Sequence, residues 1–206
     1  MNVADIDAAA VRVPTPDTDV HPMFPSRWSP RAMTGERLEQ QELLTLLEAA
    51  RWAPSCFNAQ PWRFAWALKG SAGWQTLFDC LLEGNQRWAD KAGALIAVIS
   101  RTEYEHNGKP APTHAFDAGA AWMSLALQAR HQGLVAHGMQ GFDSARLRSA
   151  LAVPEVYFAP AVIAIGYPGN VEDLPDPLGD REVPSSRKPL SEIAYADSFV
   201  DLPEGG

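Results

Sequence analysis

Basic residues and cysteines are both scarce in this chain, and each shortage removes a class of function. Lys and Arg together number 17 against 25 acidic residues, a net charge of -8. Such a surface repels a phosphate backbone and an anionic bilayer, so neither nucleic acid nor membrane is expected as a partner. The only cysteines are Cys56 and Cys80, with no C-x-x-C and no histidine at metal-ligand spacing. This indicates neither a disulfide framework nor a zinc site, so the expectation is two free thiols and no metal. A secretory leader is not expected either. The first 25 residues carry Asp5 and Asp7 where a leader needs positive charge, and their Ala-rich part is too short and interrupted to span a bilayer. Residues 1–24 therefore read as a flexible arm of a cytoplasmic protein. Internal repeats are absent. No G-x-G-x-x-G follows a strand, and neither G-x-x-x-x-G-K-[ST] nor G-x-S-x-G occurs, so a Rossmann unit, a P-loop and a nucleophile elbow are all unsupported.

What is present is enough apolar residue for a sizeable core, 46% of a 206-residue chain. One domain over 25–206, ending in an extended arm from about 170, fits better than two small ones. Leu43, Leu46, Leu47 and Ala50 share a face at helical spacing over 39 to 53, and Pro54 stops that helix. The loop PSCFNAQP (54–61) leads into WRFAWAL, whose alternation marks a half-buried strand. Ser71 caps a helix carrying Trp74, Leu77, Phe78 and Leu81; Gly84 reads as its C-terminal cap, placing Asn85 at a helix end. ALIAVIS (94–100) is continuously apolar, as a strand buried on both faces is. HAFDAGAAWMSLALQARHQG reads as a central helix stopped by Gly133, GMQGFD (138–143) as a loop, SARLRSAL as a short helix, and VYFAPAVIAIGYPG as another buried strand. Alternating helices and strands put the core in the α/β or α+β class.

Five separated segments stand out: RWSPRAM (27–33), LLEAARWAPSCFNAQPWRF (46–64), GNQRW (84–88), HGMQGFD (137–143) and SSRKPL (185–190). In this order and spacing they resemble the FMN-dependent nitroreductase family, from about Arg27 to the end, with PS-x-x-N-x-QPW the most specific. The resemblance implies an α+β fold, a mixed central sheet flanked by helices, in an arm-exchanged homodimer with FMN at the interface. It also implies ping-pong hydride transfer from NADH or NADPH, through flavin N5, to a small electron-poor acceptor such as a nitroaromatic or quinone.

FMN needs a cationic seat for its phosphate, donors at the ring edge and a flat apolar slot. The resemblance assigns Arg27, Trp28 and Ser29 at one end of the chain, and Ser186, Arg187 and Lys188 at the other, to cofactor binding around the phosphate. Arg31 takes the place of the cation near N1 and O2, where negative charge grows on reduction. Pro54, Ser55, Cys56 and Asn58 match a loop that reaches the flavin from the partner subunit, Asn85 an amide at the pyrimidine edge, and Gln140 with Gly141 the loop whose backbone N–H faces N5. Each has a bland counterpart: surface arginines, a salt bridge for Arg31, a helix-ending turn at 54–55, plain turn chemistry at Asn85 and Gly141. Cys56 replaces a small hydroxyl. Trp88 and Ser185 stand where many relatives carry lysine, leaving Lys188 as the substitute at the tail. His137, beside the N5 loop, is a candidate proton donor, though a plain loop residue is favoured. The stretch SRTEYEHNGKPAPTH (100–114) is too short and broken for a helical lid, so an open, weakly selective face is expected. The alternative is a protein of this fold that binds or consumes flavin without nicotinamide-driven reduction.

Overall fold

The continuously apolar run at 94 to 100 is the centre of the molecule. In a computed structural model describing residues 16–197, this run forms β2 (Ala94–Arg101). It pairs on one edge with β1 (Trp62–Leu68) and on the other with β4 (Tyr157–Gly166), and β4 carries β3 (Val135–Met139) outside it. The α+β class is as expected. The sheet differs from the mixed one expected, since all three pairings described are antiparallel. The reason lies in the connections. Between β1 and β2 the chain runs through two short helices, α3 (Ala72–Phe78) and α4 (Glu83–Ala89), which go out and return. The chain thus re-enters the sheet at the end it left, with Leu68 opposite Ala94.

Alternation along the strands sorts the core into two layers. On one face Ile96, Val98, Ile163 and Ile165 pack against Leu43 and Leu46 of α2 (Gln40–Arg51) and Leu125 of α5 (His114–His131). On the other, Leu95, Ala97, Val162 and Ala164 meet Trp74 and Leu77 of α3, Trp88 of α4 and Leu147 of α6 (Ser144–Ala150). Burial of this kind contributes roughly 25 cal/mol per Å² of apolar surface, and it holds the helices to the sheet. The helix from 39 is shorter than its apolar pattern. At its start the Glu39 N–H donates to Glu42 Oε2 at 2.9 Å, and it ends at Arg51, before Pro54.

Two local expectations are corrected. Gly84 does not cap the helix begun at Ser71; that helix ends at Phe78, and Gly84 and Asn85 lie in the first turns of α4. Residues 138 and 139 are not loop but the end of β3, a five-residue strand whose Gly and His hide its alternation. Residues 1–15, most of the N-terminal arm, lie outside the described residues, as do 198–206. The described chain includes a short helix α1 (Met23–Ser26), and beyond Val171 it carries only 3-10 turns. Among the described residues no helix is long and apolar enough to cross a membrane.

Candidate functional site

RWSPRAM begins just after α1 and is stitched to the exit of β4. Met33 bridges Pro168, the Thr34 N–H donates to Tyr167 O at 3.1 Å, and the Gly169 N–H donates to Ala32 O at 3.0 Å. A Cβ on Gly169 would lie 2.6 Å from the Met33 carbonyl carbon, so only glycine lets the two backbones approach this closely. The C-terminal arm returns to the same place. Arg27 and Trp28 line a cavity of about 500 Å³ together with Ser186, Arg187 and Lys188, across more than 150 residues of sequence. Ser29 accepts from Arg27 Nη1 at 3.3 Å. Arg187, exposed, folds its guanidinium onto the carbonyls of Ser185 and Ser186. Burial, and next the charge of Arg187, push the Arg27 guanidinium below its ordinary value. Two like charges are thus held near each other, an arrangement that an anion between them stabilises. A second cavity of about 330 Å³ shares the wall formed by Pro25, Arg27, Trp28 and Pro184.

Arg31 is not a free surface cation. Its Nη1 lies 3.7 Å from Oε2 of Glu182, and the Glu182 side chain is only 1% exposed. Glu182 Oε1 also accepts the backbone N–H of Arg31 and, at 2.7 Å, that of Ala32. Glu182 was missed in the sequence because nothing marks an acidic residue in a Pro-rich arm as buried.

A second group assembles where α4 meets the end of β3. Asn85 Nδ2 donates to Gly141 O at 2.9 Å, and the Leu82 N–H donates to the same oxygen at 3.0 Å. A Cβ on Gly141 would stand 2.7 Å from Asn85 Nδ2, so a larger residue here would have to displace that amide from its bond to Gly141 O. Gln140, exposed, lies beside them. His137 is not a loop residue; it sits on β3, its ring 4.7 Å from the buried Trp88. His137 Nδ1 is 3.2 Å from Pro30 O. A carbonyl only accepts, so Nδ1 carries the proton and Nε2 of the neutral ring is an acceptor. Burial, then the charge of Arg31, lowers the His137 pKa and keeps the ring neutral, which argues against a proton donor. Trp88 fills the core where a lysine would offer charge.

The loop holding Pro54, Ser55, Cys56 and Asn58 joins neither group, and none of the four lines either cavity. It is tied to the start of α5, where the Cys56 N–H donates to the buried Asp117 Oδ2 at 3.2 Å. Thr113 Oγ1 donates to the same atom at 3.2 Å. Phe57, Asn58 and Gln60 all have positive φ, an unusual run for residues other than glycine. Phe57 is 84% exposed and Phe116, next to Asp117, 80%. The 100–114 stretch forms no helix before α5, and its Tyr104 packs edge-on against Phe57 at 5.9 Å. Among the described residues no group of His, Cys, Asp and Glu is placed to hold a metal.

Known proteins share both the sequence pattern and the architecture. The family model described as Nitroreductase family matches residues 25–87 and 68–167, and the chain belongs to that family. A solved structure described as an oxidoreductase containing FMN is 45% identical, with a TM-score of 0.88, covering 92% of this chain and 97% of its own. A Desulfovibrio desulfuricans protein solved in complex with FMN is 25% identical at a TM-score of 0.70, covering 88% of this chain and 100% of its own. An NADH dehydrogenase of Thermus thermophilus is 29% identical over 182 residues, 73% of this chain and 82% of its own length.

Proposed function

We propose that this chain is an FMN-dependent oxidoreductase that takes hydride from NADH or NADPH and passes it to a small electron-poor acceptor, a nitroaromatic or quinone. The observation that carries the reading is the convergence of Arg27 and Arg187, from opposite ends of the chain, on one cavity. Similarity to an oxidoreductase containing FMN and to an NADH dehydrogenase supports it. The residues fit the cofactor. Two guanidiniums with Ser29, Ser186 and Lys188 match a phosphate in charge and donor count, and Asn85 and the Gly141 turn offer polar edge groups with close main-chain access. When bound, FMN supplies hydride acceptance and release at N5 of its ring.

The chain's own residues bind and orient. Arg27 and Arg187 would hold the phosphate, Arg31 would favour negative charge on the pyrimidine end of the ring, and Gly141 would allow close approach of main chain to the ring. The protein acts as a homodimer in which Pro54, Ser55, Cys56 and Asn58 complete the partner's site, and the arm from 170 continues the single domain of 25–206. Strained left-handed backbone beside exposed Phe57 and Phe116 supports a partner surface there. Trp88, buried where many relatives carry lysine, offers the ring no cation. With no helix over 100–113, the acceptor face is open and weakly selective. Purified protein is tested for the flavin absorbance bands, then assayed at steady state with NADH and NADPH against several quinones and nitroaromatics. Turnover of several acceptors supports the reading. A protein that carries FMN but consumes neither nicotinamide belongs to the flavin-binding alternative.

A further inference from the structure

Only two carboxylates are buried among the described residues, Asp117 and Glu182. Glu182 is the unexpected one. It lies in a Pro-rich arm, and enclosing its charge carries a desolvation cost that an apolar anchor would avoid. It reaches back 150 residues to accept two consecutive backbone N–H groups, those of Arg31 and Ala32. Its Oε2 has no hydrogen-bond partner and faces the Arg31 guanidinium at 3.7 Å. Two residues on, Pro184 forms part of the wall that both cavities share with Arg27 and Trp28. Five residues on is Arg187. The one clamp therefore holds the register of the arm against the N-terminal turn and sets a negative charge beside Arg31.

We infer that Glu182 is a positioning residue with two effects: its hydrogen bonds seat the arm so that Arg27 and Arg187 share one cavity, and its charge offsets part of Arg31's positive field. The inference rests on FMN being the occupant and Arg31 facing the ring. A nearby cation favours the extra negative charge of the reduced flavin, and an ionised neighbour of that cation opposes it. Glu182→Gln keeps an acceptor for the two N–H groups and removes the charge. Glu182→Ala removes both.

The test measures FMN affinity and the midpoint potential of the bound flavin in the wild type and both variants. E182A is expected to lose at least about tenfold in FMN affinity, the scale of charge-assisted hydrogen bonds. E182Q is expected to stay within about threefold of wild type while its bound flavin shifts to a more positive potential. A purely structural tether would leave that potential unmoved. Wild-type affinity in E182A, or an unchanged potential in E182Q, overturns the inference while leaving the FMN reading intact. A wild-type protein that binds no FMN overturns both. If E182A does not fold, the potential of E182Q decides alone.

Discussion

The two ends of the chain and the loop at 54–60 make opposite use of their surroundings. The segments around Arg27 and Arg187 meet each other within one chain, anchored by Glu182 and by the backbone pairing of Ala32 to Thr34 with Tyr167 to Gly169. The loop holds Phe57, Asn58 and Gln60 in left-handed backbone and leaves Phe57 in solvent. Each such residue costs on the order of 1 kcal/mol or more, and the loop's hydrogen bond to Asp117 does nothing to cover the ring. The contrast teaches that one chain brings Arg27 and Arg187 to a single cavity by itself, whereas within the same chain the loop's strained backbone leaves Phe57 uncovered.

The largest expected effect comes from cutting the chain at Val171. This removes Glu182, Arg187 and the apolar contacts of Leu174 and Leu178 with the core. The truncated protein is expected to lose both dimer and flavin, read by sedimentation and absorbance. A truncated monomer that still holds FMN would break the comparison. Next is Arg187→Ala. The lost charge-assisted contact is worth on the order of 1.5–3 kcal/mol, so FMN affinity falls by about tenfold or more in a fluorimetric titration. Unchanged affinity removes Arg187 from the seat. Phe57→Asp tests the other side. Partial burial of each ring contributes about 1 kcal/mol and a homodimer holds two, so with about 2 kcal/mol lost the dimer dissociates at roughly thirtyfold higher concentration on dilution. Dimerisation at wild-type strength would show that the loop faces nothing.

Much of this was legible in the sequence, and the misses have physical causes. The apolar run at 94 to 100, the amphipathic face of Leu43, Leu46 and Ala50, and the Ser71 cap each follow from local chemistry and stand where expected. Gly84 was misread because glycine permits a helix stop without requiring one, and Trp88 and Ala89 had core to bury one turn later. The short β3 was missed because Gly138 and His137 break its pattern, and only pairing with β4 makes it a strand. Arg27, Arg187 and Lys188, which line one cavity, were picked out by motif and charge. Glu182 and Asp117 were not, since their burial is set by contacts 151 and 61 residues away in sequence.

The smallest expected effect concerns His137. Its pKa is lowered in the folded protein by burial and by Arg31, so the unfolded chain takes up the proton first. Stability is therefore full above the ordinary histidine range, near pH 6.5, and declines as the pH falls through it. His137→Phe should flatten that part of the profile in urea titrations from pH 8 to 5. An unchanged slope would assign it to other groups.

The most direct test of the central claim is anaerobic mixing of the purified protein with NADH and, separately, NADPH, followed by a quinone. The account predicts that the bound flavin's visible band bleaches with at least one nicotinamide and returns when the quinone is added. A flavin band that neither nicotinamide bleaches, in protein that retains its FMN, would contradict it.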